Sequence, residues 1–190
     1  APAQSAPAPA AAPAPEAAAP APAAGGASGA DVPDEPFTAS SAIRALLALS
    51  AKIRLDEVGD SDTTESLTNG VSSRRNQLLM DMSAELGLNS IDGAGEADVR
   101  TLCATVDKAA KGYKPFGAVL SEAVKERTRK LFGAAGAKAS RIGERVTGTW
   151  QLGGGWASHV TIEIVLGTRE GASTRDGDLA TLPVDAPSNA

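Results

Sequence analysis

The sequence predicts an all-α fold, two small helical units in series held between Ala/Pro-rich tethers. Three observations carry this. Apolar residues recur at helical spacing through most of the interior. The polar stretches between them hold the Gly, Asp, Asn and Ser that end helices and make turns. Both ends of the chain lack the large apolar side chains that a core needs.

Residues 1–36 open with Ala, Pro and Gly, and seven of the twelve prolines lie between Pro2 and Pro22. Proline fixes φ and favours extended backbone, so this stretch reads as a disordered, semi-rigid tether. Some 30 residues at about 3.1 Å each would reach on the order of 90 Å. The first helix is expected over 38–54. Thr38 or Ser40 would cap it, and Ile43, Leu46, Leu47, Ser50 and Ile53 would form one face. An acidic loop follows from Asp56 to Asn69. The next helix runs from Ser72 to Leu86, with Leu78, Leu79, Met82 and Leu86 inward and Gly87 as its stop. After a Gly-containing loop at 89–95, a third helix starts near Glu96 and ends at Gly112. Val99, Leu102, Cys103 and Val106 face inward.

Lys114-Pro115 marks a break, because the residue before proline avoids the α region. A helix is then expected from Phe116 to Phe132. Phe116, Val119, Leu120, Ala123, Val124, Leu131 and Phe132 form its apolar stripe, and Glu126 and Lys130 pair on its outer face. A Gly/Ala loop at 133–137 leads to a short helix from Ser140 to Trp150. The segment from His159 to Leu166 is ambiguous. It is β-branched and alternates like a strand, yet Trp156, Val160 and Ile164 also fit a helical face. A lone strand cannot satisfy its backbone, and no partner strand is in view, so helix is the preferred reading. Residues 173–190 are again rich in Gly, Pro, Asp and Ala and read as a second linker.

Composition narrows the function. Net charge is −5, which gives no reason to expect nucleic acid. No stretch approaches the length of a membrane span. The single cysteine allows no internal disulfide and fits a reducing cytoplasm. The Ala-rich opening has neither the basic start nor the large apolar run of a signal peptide. With no initiating Met and low-complexity ends, the chain reads as a piece of a longer polypeptide. Charge is uneven: residues 31–69 carry eight acids and three bases, and residues 70–150 carry nine acids and thirteen bases. The bland reading of the basic excess is a solvated helix surface; the sharper one is a docking patch.

Most candidate sites are weak. His159 is the only histidine and has no second ligand at metal spacing. Cys103 falls on an apolar face, so a core role is expected. The Gly153-Gly154-Gly155 run lacks the Lys-Ser/Thr of a phosphate loop and reads as a turn. Trp150 and Trp156 read as packing residues. No clustered acid, base and nucleophile points to an enzyme.

The exception is the serine pair Ser72-Ser73. It follows a Gly-containing turn and opens a helix, where free N–H groups and the helix dipole favour an anion. Capping is the commonest use of serine there. Arg74 and Arg75 work against that bland reading, because cations in a first turn oppose the dipole and a phosphate ester would reverse the penalty. The order of helix, long loop, serine at a second helix start and further helix resembles an acyl carrier protein. The closer resemblance is to the carrier domain of large type I fatty acid synthases, fungal and actinobacterial. It rests on Leu67 to Met82, where Gly70-Val71-Ser72-Ser73 precedes Arg74-Arg75-Asn76-Gln77-Leu78-Leu79. In that family a Gly-x-Ser-Thr-like turn precedes a basic or polar residue, then Asn and an apolar pair. The Ala/Pro tether and the added helices after the carrier bundle also match. Free-standing bacterial carriers differ, with Asp-Ser-Leu at this point.

The resemblance implies an acyl-carrier-type bundle at 37–112 and an appended helical subdomain at 113–172. It implies phosphopantetheine, taken from coenzyme A, on Ser72, with Ser73 as the fallback. The arm would carry growing fatty acyl chains between the catalytic sites of a multifunctional synthase, and the carrier itself would not catalyse. Implied partners are ketosynthase, ketoreductase, dehydratase, enoyl reductase and acyl/malonyl transferase domains, plus a phosphopantetheinyl transferase. Arg74 and Arg75 would steer docking or meet the arm's phosphate. Leu78, Leu79 and Met82 would line the bundle interior beside the arm. Two rivals remain. One is an unmodified helical docking module of a multienzyme complex. The other is a lipoyl domain, suggested by Asp107-Lys108-Ala109 with lipoate on Lys108, but that lysine belongs on a β-hairpin and here lies in a helical pattern.

Overall fold

The computed structural model describes residues 32–133 and 138–168, and the described residues fold as helices with no strand. The expected linkers fall outside them, apart from 32–36 at the inner end of the first. Helix α1 spans Ala39–Ala51 and is the hub of the molecule. Thr38 starts it through a capping box. Its hydroxyl accepts from the Ser41 N–H, and the Ser41 hydroxyl accepts from the Thr38 N–H. The helix ends three residues earlier than expected, at a left-handed Lys52. Buried alanines 39, 42, 45 and 48 surround Ile43, Leu46 and Leu47, so neighbouring helices approach closely on more than one side.

The acidic segment is not one open loop. It holds a 3₁₀ turn at Leu55–Glu57 and a four-residue helix, α2, at Thr64–Leu67. Four residues cannot show helical periodicity, so local capping is the physical cause. The Thr63 and Ser66 hydroxyls cap each other's backbone, and the Thr68 hydroxyl donates back to the Thr64 carbonyl at 2.7 Å. Helix α3 spans Ser72–Leu86 and stops at a left-handed Gly87, as the spacing predicts. Helix α4 spans Val99–Ala109, shorter than expected at both ends. Asp98 sets its start by accepting from the Thr101 N–H at 2.7 Å. Its inward residues are the expected Val99, Leu102, Cys103 and Val106.

Helix α5 spans Ala118–Phe132. It starts after Phe116, which takes a positive φ and packs its ring on Phe37 instead of joining the helix. Helix α6 spans Ala139–Glu144 and widens into a π-helix over Arg145–Thr149, where a single α-helix to Trp150 was expected. Helix α7 spans Gly154–Gly167, which settles the ambiguous segment as helix. Among the described residues, no helix is long and apolar enough to cross a membrane, and no group of His, Cys, Asp or Glu could hold a metal.

Two cores result. The first joins α1, α3 and α4 to Leu120 and Val124 of α5 and to Ile162, Val165 and Leu166 of α7. The second packs Leu131, Phe132, Ile142, Val146, Val160 and Ile164. Helices α5 and α7 serve both.

Candidate functional site

The turn before α3 is held from three sides. Asn69 and Gly70 both take left-handed φ, and the Gly70 N–H donates to the Glu65 carbonyl at 2.9 Å. The Thr64 hydroxyl, buried, donates to the carbonyls of Ala94 and Gly95 and so ties α2 to the loop before α4. The N–H groups of Val99 and Arg100 donate to the Asp62 and Asp60 carbonyls. Asp60 also pairs with Arg44 and Arg100, and the Arg44 bond above all holds its carboxyl below the ordinary carboxylate value. The segment that presents the serines is therefore cross-tied to α1 and α4.

Ser72 is the first residue of α3, and Ser73 follows it; both are exposed. Neither is the N-cap. That position belongs to Val71, whose apolar side chain caps nothing. The capping reading of the serines therefore fails, and both hydroxyls are without a hydrogen-bond partner among the described residues. The first N–H groups of α3 have no partner within a helix and receive none from a side chain. No acid lies in the first turn. The local field is thus positive at the point where the hydroxyls stand.

The two arginines differ. Arg74 is exposed and has no partner among the described residues, whereas Arg75 is half-buried and reaches back to Glu65 at 3.9 Å. Arg75 thus also helps to hold the turn. Farther along α3, Leu78 and Met82 are 2% and 0% exposed, so they are core residues and closed to an arm. Leu79 is different. With Met80, Ser83, Ala84, Leu88, Ile91 and the 93–95 backbone it lines a groove of about 590 Å³ beside the exposed face of α3. Met80 is 66% exposed, and periodicity does flag it, because it sits out of phase with Leu78 and Met82.

The remaining candidates fall to structural roles. Cys103 is buried with its Sγ 3.9 Å from the Ser40 carbonyl, and burial pushes its thiol pKa up, away from a nucleophile. Lys108 sits in the last turn of α4, which overturns the lipoyl hairpin. His159 packs on Phe37 with the rings tilted at 59° and centroids 5.0 Å apart. Trp156 packs on the second core, as expected. The Nε1–H of Trp150 is buried with no partner among the described residues. The glycine run opens α7 instead of forming a free turn.

Sequence reasoning missed Glu85. It is 4% exposed and projects from α3 to the start of α5. Its Oε1 accepts from the Tyr113 hydroxyl and from the Gly117 N–H at 2.6 Å. Its Oε2 accepts from the N–H groups of Val119 and Leu120 at 2.9 and 2.8 Å. A Cβ at Gly117 would strike the Glu85 backbone and carboxylate, so glycine is required there. The signal was present, since Glu85 lies three residues after Met82 and seven after Leu78, inside the apolar stripe.

A family model described as the fatty acid synthase subunit alpha acyl carrier domain matches residues 33–172 of the chain. No curated protein matches it.

Proposed function

The chain belongs to the acyl carrier domain family of fatty acid synthase alpha subunits, and from that premise we propose that it shuttles growing fatty acyl chains as phosphopantetheine thioesters, with the arm on Ser72. The observation that supports the site most directly is the exposed Ser72 hydroxyl, without a partner among the described residues, at an uncapped helix start. The residues present fit a phosphodiester. Backbone N–H groups of the first turn of α3 face it, the dipole favours it, and Arg74 is free to pair with it. Leu79 and Met80 offer apolar surface along the groove where an attached chain would run.

The residues of this chain position and expose; they need no general base and no oxyanion hole. A tethered group meets each catalytic site at high effective concentration, which replaces repeated diffusion. Ketosynthase, ketoreductase, dehydratase, enoyl reductase and acyl or malonyl transferase domains are the partners of this role, and a phosphopantetheinyl transferase loads it in the cytoplasm. The body itself is non-catalytic. Family membership supports a carrier over an unmodified docking module.

The test is intact mass after incubation with coenzyme A and a broad-specificity phosphopantetheinyl transferase, for the native chain, Ser72→Ala and Ser73→Ala. The expected result is a gain of one arm, lost only in Ser72→Ala. Loss only in Ser73→Ala keeps the function and moves the site by one residue. No gain with the parent system's own transferase overturns the reading.

A further inference from the structure

The family match leaves unexplained how the incoming tether meets the folded body and why three glycines open α7. Residues 33–37 supply both answers. They lie across the start of α7, more than a hundred residues away in sequence. The Asp34 carboxylate accepts from the Gly155 N–H at 3.0 Å and from the Trp156 N–H at 3.3 Å, so it caps a helix whose own N-cap, Gly153, has no side chain. The Trp156 Nε1–H donates to the Pro33 carbonyl at 2.9 Å. His159 Nε2 lies 3.4 Å from the Pro36 carbonyl. Phe37, buried, inserts its ring between Phe116 and His159.

The glycines are the sterically required counterpart. A Cβ on Gly153 would run into the Asp34 carboxylate, and one on Gly155 would run into the Glu35 carbonyl. Neither glycine has positive φ, so close approach, not backbone freedom, is what demands them.

We infer that residues 33–37 are a docked strap that fastens the segment before α1 to the start of α7, so that the first and last described residues lie at opposite ends of one helix. The chain continues past α7 at Thr168, whose carbonyl and that of Val165 are held by Arg127 of α5. Helix α7 packs on α1, α5, α6 and the 3₁₀ turn, whereas α3 packs on α1, α2 and α5. A pull on either end is therefore taken first by α7 and reaches the serine helix through the core that both share with α1 and α5. The strap stands on its own geometry; its use as the pivot of a swinging carrier rests on the proposed function.

The test uses paired spin labels on Val32→Cys and Gly167→Cys in the full chain, with buried Cys103 replaced by Ala. The 14 residues of α7 span about 21 Å, so a docked strap gives a narrow distance distribution of about 20–30 Å. Asp34→Ala and Gly155→Ala are expected to abolish that narrow distribution. A broad distribution in the parent, or a narrow one that persists in both variants, overturns the strap. Where Gly155→Ala does not fold, Asp34→Ala alone decides. Transferase loading of Ser72 on the same samples reads the carrier function separately, so failure of one is distinguishable from failure of the other.

Discussion

Replacing Glu85 by Gln keeps shape and volume but changes what the side chain can accept. The carboxylate receives four donors, two on each oxygen. An amide has one acceptor oxygen, and its NH₂ must face the other pair. The less costly orientation keeps oxygen toward Val119 and Leu120, because the Tyr113 hydroxyl can turn and accept. That leaves the Gly117 N–H against a donor, at about 1–3 kcal/mol for an unsatisfied buried group. Loss of the negative charge at the α5 N-terminus adds about 1 kcal/mol in a buried setting. The sum, about 3 kcal/mol, is a large part of the ~5–15 kcal/mol that holds a domain folded. With a urea slope of about 1–3 kcal/mol/M, the unfolding midpoint should fall by about 1–3 M. Amide exchange at Gly117, Val119 and Leu120 should accelerate beyond the global change, because the α5 start frays first. A midpoint within about 0.3 M of the parent would refute the view that this carboxylate joins α3 to α5.

Charge reversal separates the two arginines. Arg74→Glu should slow acyl loading from a partner domain about 3–10-fold at low salt, and added salt should shrink the difference. An unchanged low-salt rate would remove Arg74 from docking. Arg75→Glu should also weaken the turn, since it repels Glu65, and so should lower the melting temperature where Arg74→Glu does not. Tyr113 gives an alkaline test. Burial first, then the Glu85 bond, holds its phenol above its ordinary value of 10.0. A folded-state value above the unfolded one means the contribution is whole below the unfolded value and is lost as pH rises past it. Stability should therefore decline above about pH 10 in the parent and decline less in Tyr113→Phe, as urea midpoints across that range would show.

How far the fold was legible follows from how far each interaction reaches along the chain. Helix α3 was readable to the residue at both ends, because Gly70 and Gly87 bracket it and its stripe is apolar. The inward face of α4 was readable for the same reason. The short α2 was not, since hydroxyl caps build it and periodicity does not. The early end of α1 and the late start of α5 depend on left-handed Lys52 and Phe116, residues whose sequence gives no warning of positive φ. The placement of Ser72 and Ser73 at a helix start was legible because its signal is local: turn, hydroxyl and helix start adjoin. The different surroundings of Arg74 and Arg75 needed Glu65 placed in space. Glu85 with α5, and Asp34 with α7, bridge 35 and 121 positions, and a local pattern that flags Glu85 as buried still cannot name its partner.

These long-range bonds also bear on how a carrier can be stiff and mobile at once. In the proposed function a transferase and several partners all recognise the same serine, so its turn needs a fixed shape; the ties from Thr64, Arg75 and the Asp60 group provide it. Delivery needs the whole body to travel, which the described helices cannot supply by flexing, because α5 and α7 sit in both cores. Loosening the turn should then reduce recognition without extending reach, whereas shortening the Ala/Pro stretch should reduce reach without altering recognition. Thr64→Ala, which removes the buried hydroxyl bonds to Ala94 and Gly95, is the substitution that separates the two. It should lower the rate of Ser72 loading by a transferase free in solution, where reach plays no part. An unchanged rate would mean that the turn's rigidity does not serve recognition, and the purpose of its cross-ties would then have to be stability alone.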